Sequence, residues 1–137
     1  MTRYVTRPIN LATGMTARGL KVFLTAQQSY GSRIYVYHKV LAEEDSEDIK
    51  RKKWKLMKQT TPDADYFSGS ASTMEAPTAI SGGLHEYVFD SDELITYTTN
   101  DGNTYDSFKT FAIKIVMQAS NTSKPPRVND FRAIAVF

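Results

Sequence analysis

The two apolar runs near the end of the chain constrain the fold most. Phe108 to Gln118 reads Phe-Lys-Thr-Phe-Ala-Ile-Lys-Ile-Val-Met-Gln, and Arg127 to Phe137 reads Arg-Val-Asn-Asp-Phe-Arg-Ala-Ile-Ala-Val-Phe. A polar loop ending in Pro125-Pro126 separates them. Phe111, Ile113, Ile115 and Met117 recur at period two, with Lys114 between two of them. That spacing predicts a strand with one buried face. The second run carries a strand to the last residue.

The rest of the chain repeats the pattern in shorter pieces. Arg3 to Leu11 predicts a first strand, with Tyr4 or Val5 facing inward. Pro8 cannot donate to a ladder, so this is an edge strand or Pro8 marks a break. Ala12 to Met15 forms a turn around Gly14. Leu20, Val22 and Leu24 alternate with Lys21 and Phe23 in a second strand. Arg33 to Leu41 is a third, with Ile34, Val36, His38 and Val40 on one face and Arg33, Tyr35, Tyr37 and Lys39 on the other. Leu84 to Phe89 is a further strand. Leu94–Thr98 and Thr104–Phe108 flank Asn100-Asp101-Gly102-Asn103, a hairpin signal. Seven or eight short strands in 137 residues predict one domain. The expected fold is all-β: a single antiparallel β-sandwich, jelly-roll-like, whose final strand pairs near the first.

Two segments fall outside this pattern. In Glu43–Lys58, five acidic residues precede six basic ones. Ser46 can cap a short helix over 46–53, with acids and bases placed to suit its dipole. The alternative is an extended charged loop. Trp54, Leu56 and Met57 then return the chain to the sheet. Residues 60–83 are rich in Ser, Thr, Ala, Gly and Pro, and form a long polar loop or arm.

Composition narrows the chemistry. There is no cysteine, which removes disulfides, thiolate metal sites and thiol nucleophiles. No apolar run approaches the roughly 20 residues of a membrane helix, and the first residues hold no apolar signal core. The net charge of +2 is too small to attract nucleic acid over long range. His38 and His85 stand alone, as strand residues facing solvent or the core rim. Asp90, Asp92 and Glu93 with Asp101-Gly102-Asn103 could offer oxygen ligands to calcium, but their spacing is not that of an EF-hand, and turn chemistry explains them. The run Lys50–Lys58 around Trp54 could grip nucleic acid. The acids before it nearly cancel its field, and Trp54 is expected to pack under the loop. Tyr35, Tyr37, Tyr97 and Tyr105 could form a sugar-stacking platform, though tyrosine is a routine strand residue. No nucleophile elbow, phosphate loop or paired carboxylate is present. The reading is of a non-enzymatic protein with no cofactor and no metal.

One ordered set of segments resembles a known module. The set is Arg3-Tyr-Val-Thr-Arg7, Leu20-Lys-Val-Phe-Leu-Thr-Ala26, Ile34-Tyr-Val-Tyr-His-Lys-Val40, Phe108-Lys-Thr-Phe-Ala-Ile-Lys-Ile-Val116 and Pro126-Arg-Val-Asn-Asp-Phe-Arg-Ala-Ile-Ala135. It resembles the C-terminal β-sandwich module of large virion structural proteins of tailed bacteriophages, of the type that infects marine cyanobacteria. The last two segments are the most specific. The resemblance implies a structural virion part, in the tail or baseplate, assembled in the host cytoplasm and held by protein–protein contacts in a symmetric multi-copy array. It carries no catalytic residues. This chain departs from the pattern by standing alone, which makes capsid decoration the variant expectation. A carbohydrate-binding module contacting host glycans is the alternative of another class, and a hydrolase the remote one. Partner contacts are expected in the two segments outside the sandwich pattern, at Lys50, Arg51, Lys53, Tyr66, Phe67 and Met74. Lys114 and Arg132 are expected to face solvent from the outer side of a sheet.

Overall fold

A computed structural model describes residues 2–27, 33–59, 83–89, 95–118 and 127–137. The described elements are almost entirely strands. They are β1 (Thr2–Val5), β2 (Ile9–Asn10), β3 (Gly19–Gln27), β4 (Arg33–Leu41), β5 (Lys55–Leu56), β6 (Lys58–Gln59), β7 (Gly83–Val88), β8 (Tyr97–Thr98), β9 (Thr104–Tyr105), β10 (Thr110–Gln118) and β11 (Arg127–Val136). The first sheet has the order β1-β10-β4-β5, with β2 also on β10. The second has the order β11-β3-β7-β6, and β8 and β9 form a separate hairpin. All pairings are antiparallel. Four connections, β2–β3, β3–β4, β5–β6 and β10–β11, cross from one sheet to the other, as in a jelly roll. The fold is the expected all-β sandwich.

The alternation read from the sequence decides what lies between the sheets. Leu20, Val22 and Leu24 of β3 face Ile34, Val36 and Val40 of β4 and Ile113 and Ile115 of β10, all buried in one core. Phe108 is fully buried, edge-on to both Phe89 and Phe111 at centroid separations of 6.1 Å. Burying a large apolar side chain is worth about 1.5–3 kcal/mol. Such residues are the main source of stability here. Gly14 (φ 81°) and Gly102 (φ 91°) occupy the left-handed region that their turns require.

The first strand divides at Pro8. β1 and β2 pair with successive parts of β10. In the gap, the Ile113 N–H donates to Thr6 Oγ1 at 3.0 Å, and Thr6 N–H returns a bond to the Ile113 carbonyl at 2.9 Å. Both backbone groups of Ile113 are thus satisfied where the ladder breaks. Val5 faces outward, opposite Lys114. Tyr4 faces the other sheet but stays 54% exposed, meeting Phe131 edge-on at the rim. Neither therefore supplies the core residue expected of this strand.

Three further expectations are corrected. The last strand lies beside the first across the sandwich but does not share a sheet with it. β11 pairs with β3, whereas β1 pairs with β10 in the opposite sheet. The small Ala133 and Ala135 face the core from β11 and match Val22 and Leu20 across the ladder. The Ser46-capped helix over 46–53 is instead one 3-10 turn, Ile49–Arg51, capped by the Asp48 carboxylate accepting from Lys50 N–H. Only Ile49 is buried there, too little apolar surface to hold a longer helix. His38 is not at the rim: it is 3% exposed, inside the core face of β4 and edge-on to Phe89 at 4.6 Å.

Candidate functional site

The outer face of the first sheet gathers a set of side chains that are remote in sequence. Alternation along β4 turns Tyr35, Tyr37 and Lys39 outward. Register places Lys114 of β10 and Leu56 of β5 on either side of Tyr37. Trp54, one step before β5, lies beside Lys39. Lys39 Nζ sits 4.5 Å from the Trp54 ring centroid, and Lys114 Nζ sits 5.1 Å from it and 4.7 Å from that of Tyr37. Two ammonium groups thus sit on two aromatic rings, each contact worth about 0.5–1 kcal/mol where solvent reaches it. Trp54 is half-buried on this face, not packed under the loop.

The charged loop closes over one end of the sheet. One of its bases pairs with two of its acids within the loop. Lys52 Nζ is 2.7 Å from Asp45 Oδ2 and 2.9 Å from Glu47 Oε2. Tyr97 of the β8–β9 hairpin donates to Asp45 at 2.9 Å and accepts from Ala42 N–H at 2.8 Å. Burial alone would raise the Asp45 carboxyl, but bonds from Lys52, the Glu47 N–H and Tyr97 outweigh it and hold Asp45 below its ordinary value. Burial, then the neighbouring Asp45 carboxylate, pushes the Tyr97 hydroxyl up to about 12. The loop is therefore tied to the hairpin by its own residues. Tyr97→Phe removes both bonds and leaves the Ala42 N–H without its acceptor. It should cost about 1–2 kcal/mol in urea denaturation.

Beneath this loop lies a cavity of about 50 Å³, lined by His38, Lys39, Val40, Lys52, Lys53, Lys55 and Tyr97. Both imidazole nitrogens of His38 are buried and have no hydrogen-bond partner among the described residues. Burial, with a smaller contribution from the Lys55 charge, lowers its pKa from 6.5 to about 4.

The structure separates the expected partner contacts. Lys50 and Arg51 are exposed on the 3-10 turn, and Lys53 is exposed at the cavity. Tyr66, Phe67 and Met74 lie outside the described residues, as do Asp90, Asp92 and Glu93 of the calcium alternative. Asp101 is engaged locally, by the Thr99 hydroxyl and the Asn103 amide, as turn chemistry requires. Among the described residues no group of three His, Asp or Glu is placed to hold a metal. The four tyrosines of the proposed platform divide in two. Tyr35 and Tyr37 lie on the outer sheet face, whereas Tyr97 and Tyr105 stack on each other in the hairpin at 5.4 Å. Arg132 is exposed as expected, but Lys114 is half-buried between rings. Sequence reading left Lys39 and Lys114 out of any site. Their shared signal is the cross-strand register, which no local pattern contains.

No protein-family model, curated protein or solved structure matches this chain.

Proposed function

We propose that this chain is a non-enzymatic structural component of a tailed-bacteriophage virion, placed in the tail or baseplate, with capsid decoration as its variant. The segments that resemble the phage module support this reading. They fall on strands of the sandwich, the two most specific ones on β10 and β11. The observation that carries the assembly role is the edge formed by β11. This ten-residue strand has β3 on one side and, among the described residues, no strand on the other. Ile134 on it is 42% exposed and Phe137 beyond it 66%. A long strand edge with apolar side chains is a template for pairing with another chain, and natural proteins cover or blunt such edges. Neighbouring virion proteins, or further copies of this chain, would supply the cover.

Residues 60–82 join two strands that already neighbour each other, since Gln59 of β6 pairs with Tyr87 of β7. A short turn in place of this segment should leave the thermal midpoint within a few degrees of the parent and abolish incorporation into particles. Incorporation is read by co-purification at a fixed copy number and by position in a cryo-EM map of the particle. A parent protein absent from purified particles would overturn the reading.

A further inference from the structure

We infer that this protein forms a two-fold dimer in which β11 pairs antiparallel with β11 of a second copy, on an axis at Ile134. The inference rests on the reading of β11 as an assembly edge, and it narrows the cover of that edge to one partner, this chain itself. An edge strand exposes half of its ladder groups, and natural proteins keep such strands short or interrupted. Among the described residues, three of the four sheet edges follow that rule. β5 and β6 have two residues each. β1 has four, and Pro8 separates it from β2 on the same edge. β11 is the exception, with ten residues and no proline. Its ladder with β3 shifts between Val128 and Asp130 and then stays in one register to Val136. The side away from β3 is therefore regular over that stretch, and no described strand lies against it.

The side chains select the partner and the register. Phe131, Ala133 and Ala135 face the core, while Arg132 and Ile134 are exposed. In an antiparallel pair about a two-fold axis, the residue on the axis meets itself and its neighbours meet in reverse order. With the axis at Ile134, Ile134 meets its copy, Ala133 meets Ala135, Arg132 meets Val136 and Phe131 meets Phe137. Core-facing alanines thus meet core-facing alanines, which joins the two cores along one sheet. Ile134 and Phe137, 42% and 66% exposed, are both covered. Phe137 arrives at the rim where Phe131 of the other copy meets its exposed Tyr4. Neighbouring registers do worse. An axis at Arg132 sets two guanidinium groups opposite each other, which is destabilising. An axis at Ala133 sends Phe137 to Asn129, inside the register shift. The backbone edge alone accepts any strand. The apolar match in reverse order is what selects a second copy.

The test is sedimentation equilibrium and oxidative cross-linking of the full chain. The parent should be a dimer in the micromolar range, with no larger species, because a two-fold interface closes on itself. Ile134→Lys sets two ammonium groups opposite each other and should weaken dimerisation at least about tenfold. The chain has no cysteine, so an introduced thiol reports one contact. Directly opposed Cβ atoms lie about 4.5–5.5 Å apart, close to disulfide reach. Under copper phenanthroline, Ile134→Cys should link into dimers at least about tenfold faster than Leu56→Cys, a comparably exposed position on the other sheet. Arg132→Cys alone should link slowly, since its two copies stand roughly 13 Å apart along the strands. Mixed with Val136→Cys, it should link to that variant. A monomeric parent, open-ended growth, a dimer that Ile134→Lys leaves intact, or an Ile134→Cys variant no faster than Leu56→Cys would overturn the inference. A dimer absent from purified particles would overturn the virion reading and leave this one standing. A monomer built into particles would do the reverse.

Discussion

Phe108→Ala should cost about 3–5 kcal/mol of unfolding free energy. At this chain length that lowers the thermal midpoint by roughly 10–15 °C. The ring is fully buried where the loop strands meet the sandwich, edge-on to Phe89 and Phe111. Its backbone matters as well. Phe108 N–H donates to Ala17 at 2.8 Å and its carbonyl accepts from Ala17 N–H at 2.9 Å, an isolated bridge between the sheets' connecting segments. The bridge fixes the surrounding backbone, so collapse into the vacated volume is resisted and the cavity cost is retained. Phe108→Leu leaves a smaller void and should cost less than half as much. Equal midpoints for Phe108→Ala and the parent would show that the ring does not hold the core.

Acid should destabilise the protein through His38. The unfolded chain takes up the imidazole proton near 6.5, while the folded chain refuses it until about pH 4. Between those values the unfolded state holds more protons, so stability falls as the pH drops through that window. At about 1.4 kcal/mol per pH unit, the full loss is about 3 kcal/mol. His38→Leu removes the titrating group and the two nitrogens that have no partner among the described residues. Its stability at pH 7 should equal or exceed that of the parent, and its loss between pH 6.5 and 4.5 should be much smaller. Urea midpoints at half-unit steps of pH measure both. Parallel pH curves for parent and variant would place the acid sensitivity elsewhere.

The strands were legible wherever one face meets the core and the other meets water. β4 begins and ends where alternation places it, at Arg33 and Leu41, and its Ile34, Val36 and Val40 face is buried. The hairpin around Gly102 was legible because a positive φ restricts the residue choice. Pairing was not legible. Whether β11 joins β1 or β3 depends on contacts between residues a hundred positions apart, and no window of sequence holds them. The charged loop misled for a related reason. Its charge order suits a helix dipole, but Lys52 and Asp45 are spent on Tyr97, which enters from a hairpin far along the chain. His38 sat on the correct face of the strand, yet a histidine among valines reads as a rim residue unless the covering Phe89 is known.

The step from β5 to β6 gives the sandwich a spine. Leu56 ends in one sheet and Lys58 begins in the other, so a single residue, Met57, spans the space between them. It is 4% exposed and its N–H is bonded to Val36 at 2.8 Å. At the opposite margin the sheets meet through Tyr4 and Phe131, an aromatic contact that solvent reaches. One margin of the sandwich is therefore joined by the shortest crossing, through Met57, and the other ends in an aromatic contact that solvent reaches, between β1 and β11. That margin is also the one where, among the described residues, no strand pairs with the outer side of β11, so a partner that pairs there would cover the solvent-reached contact as well as the edge.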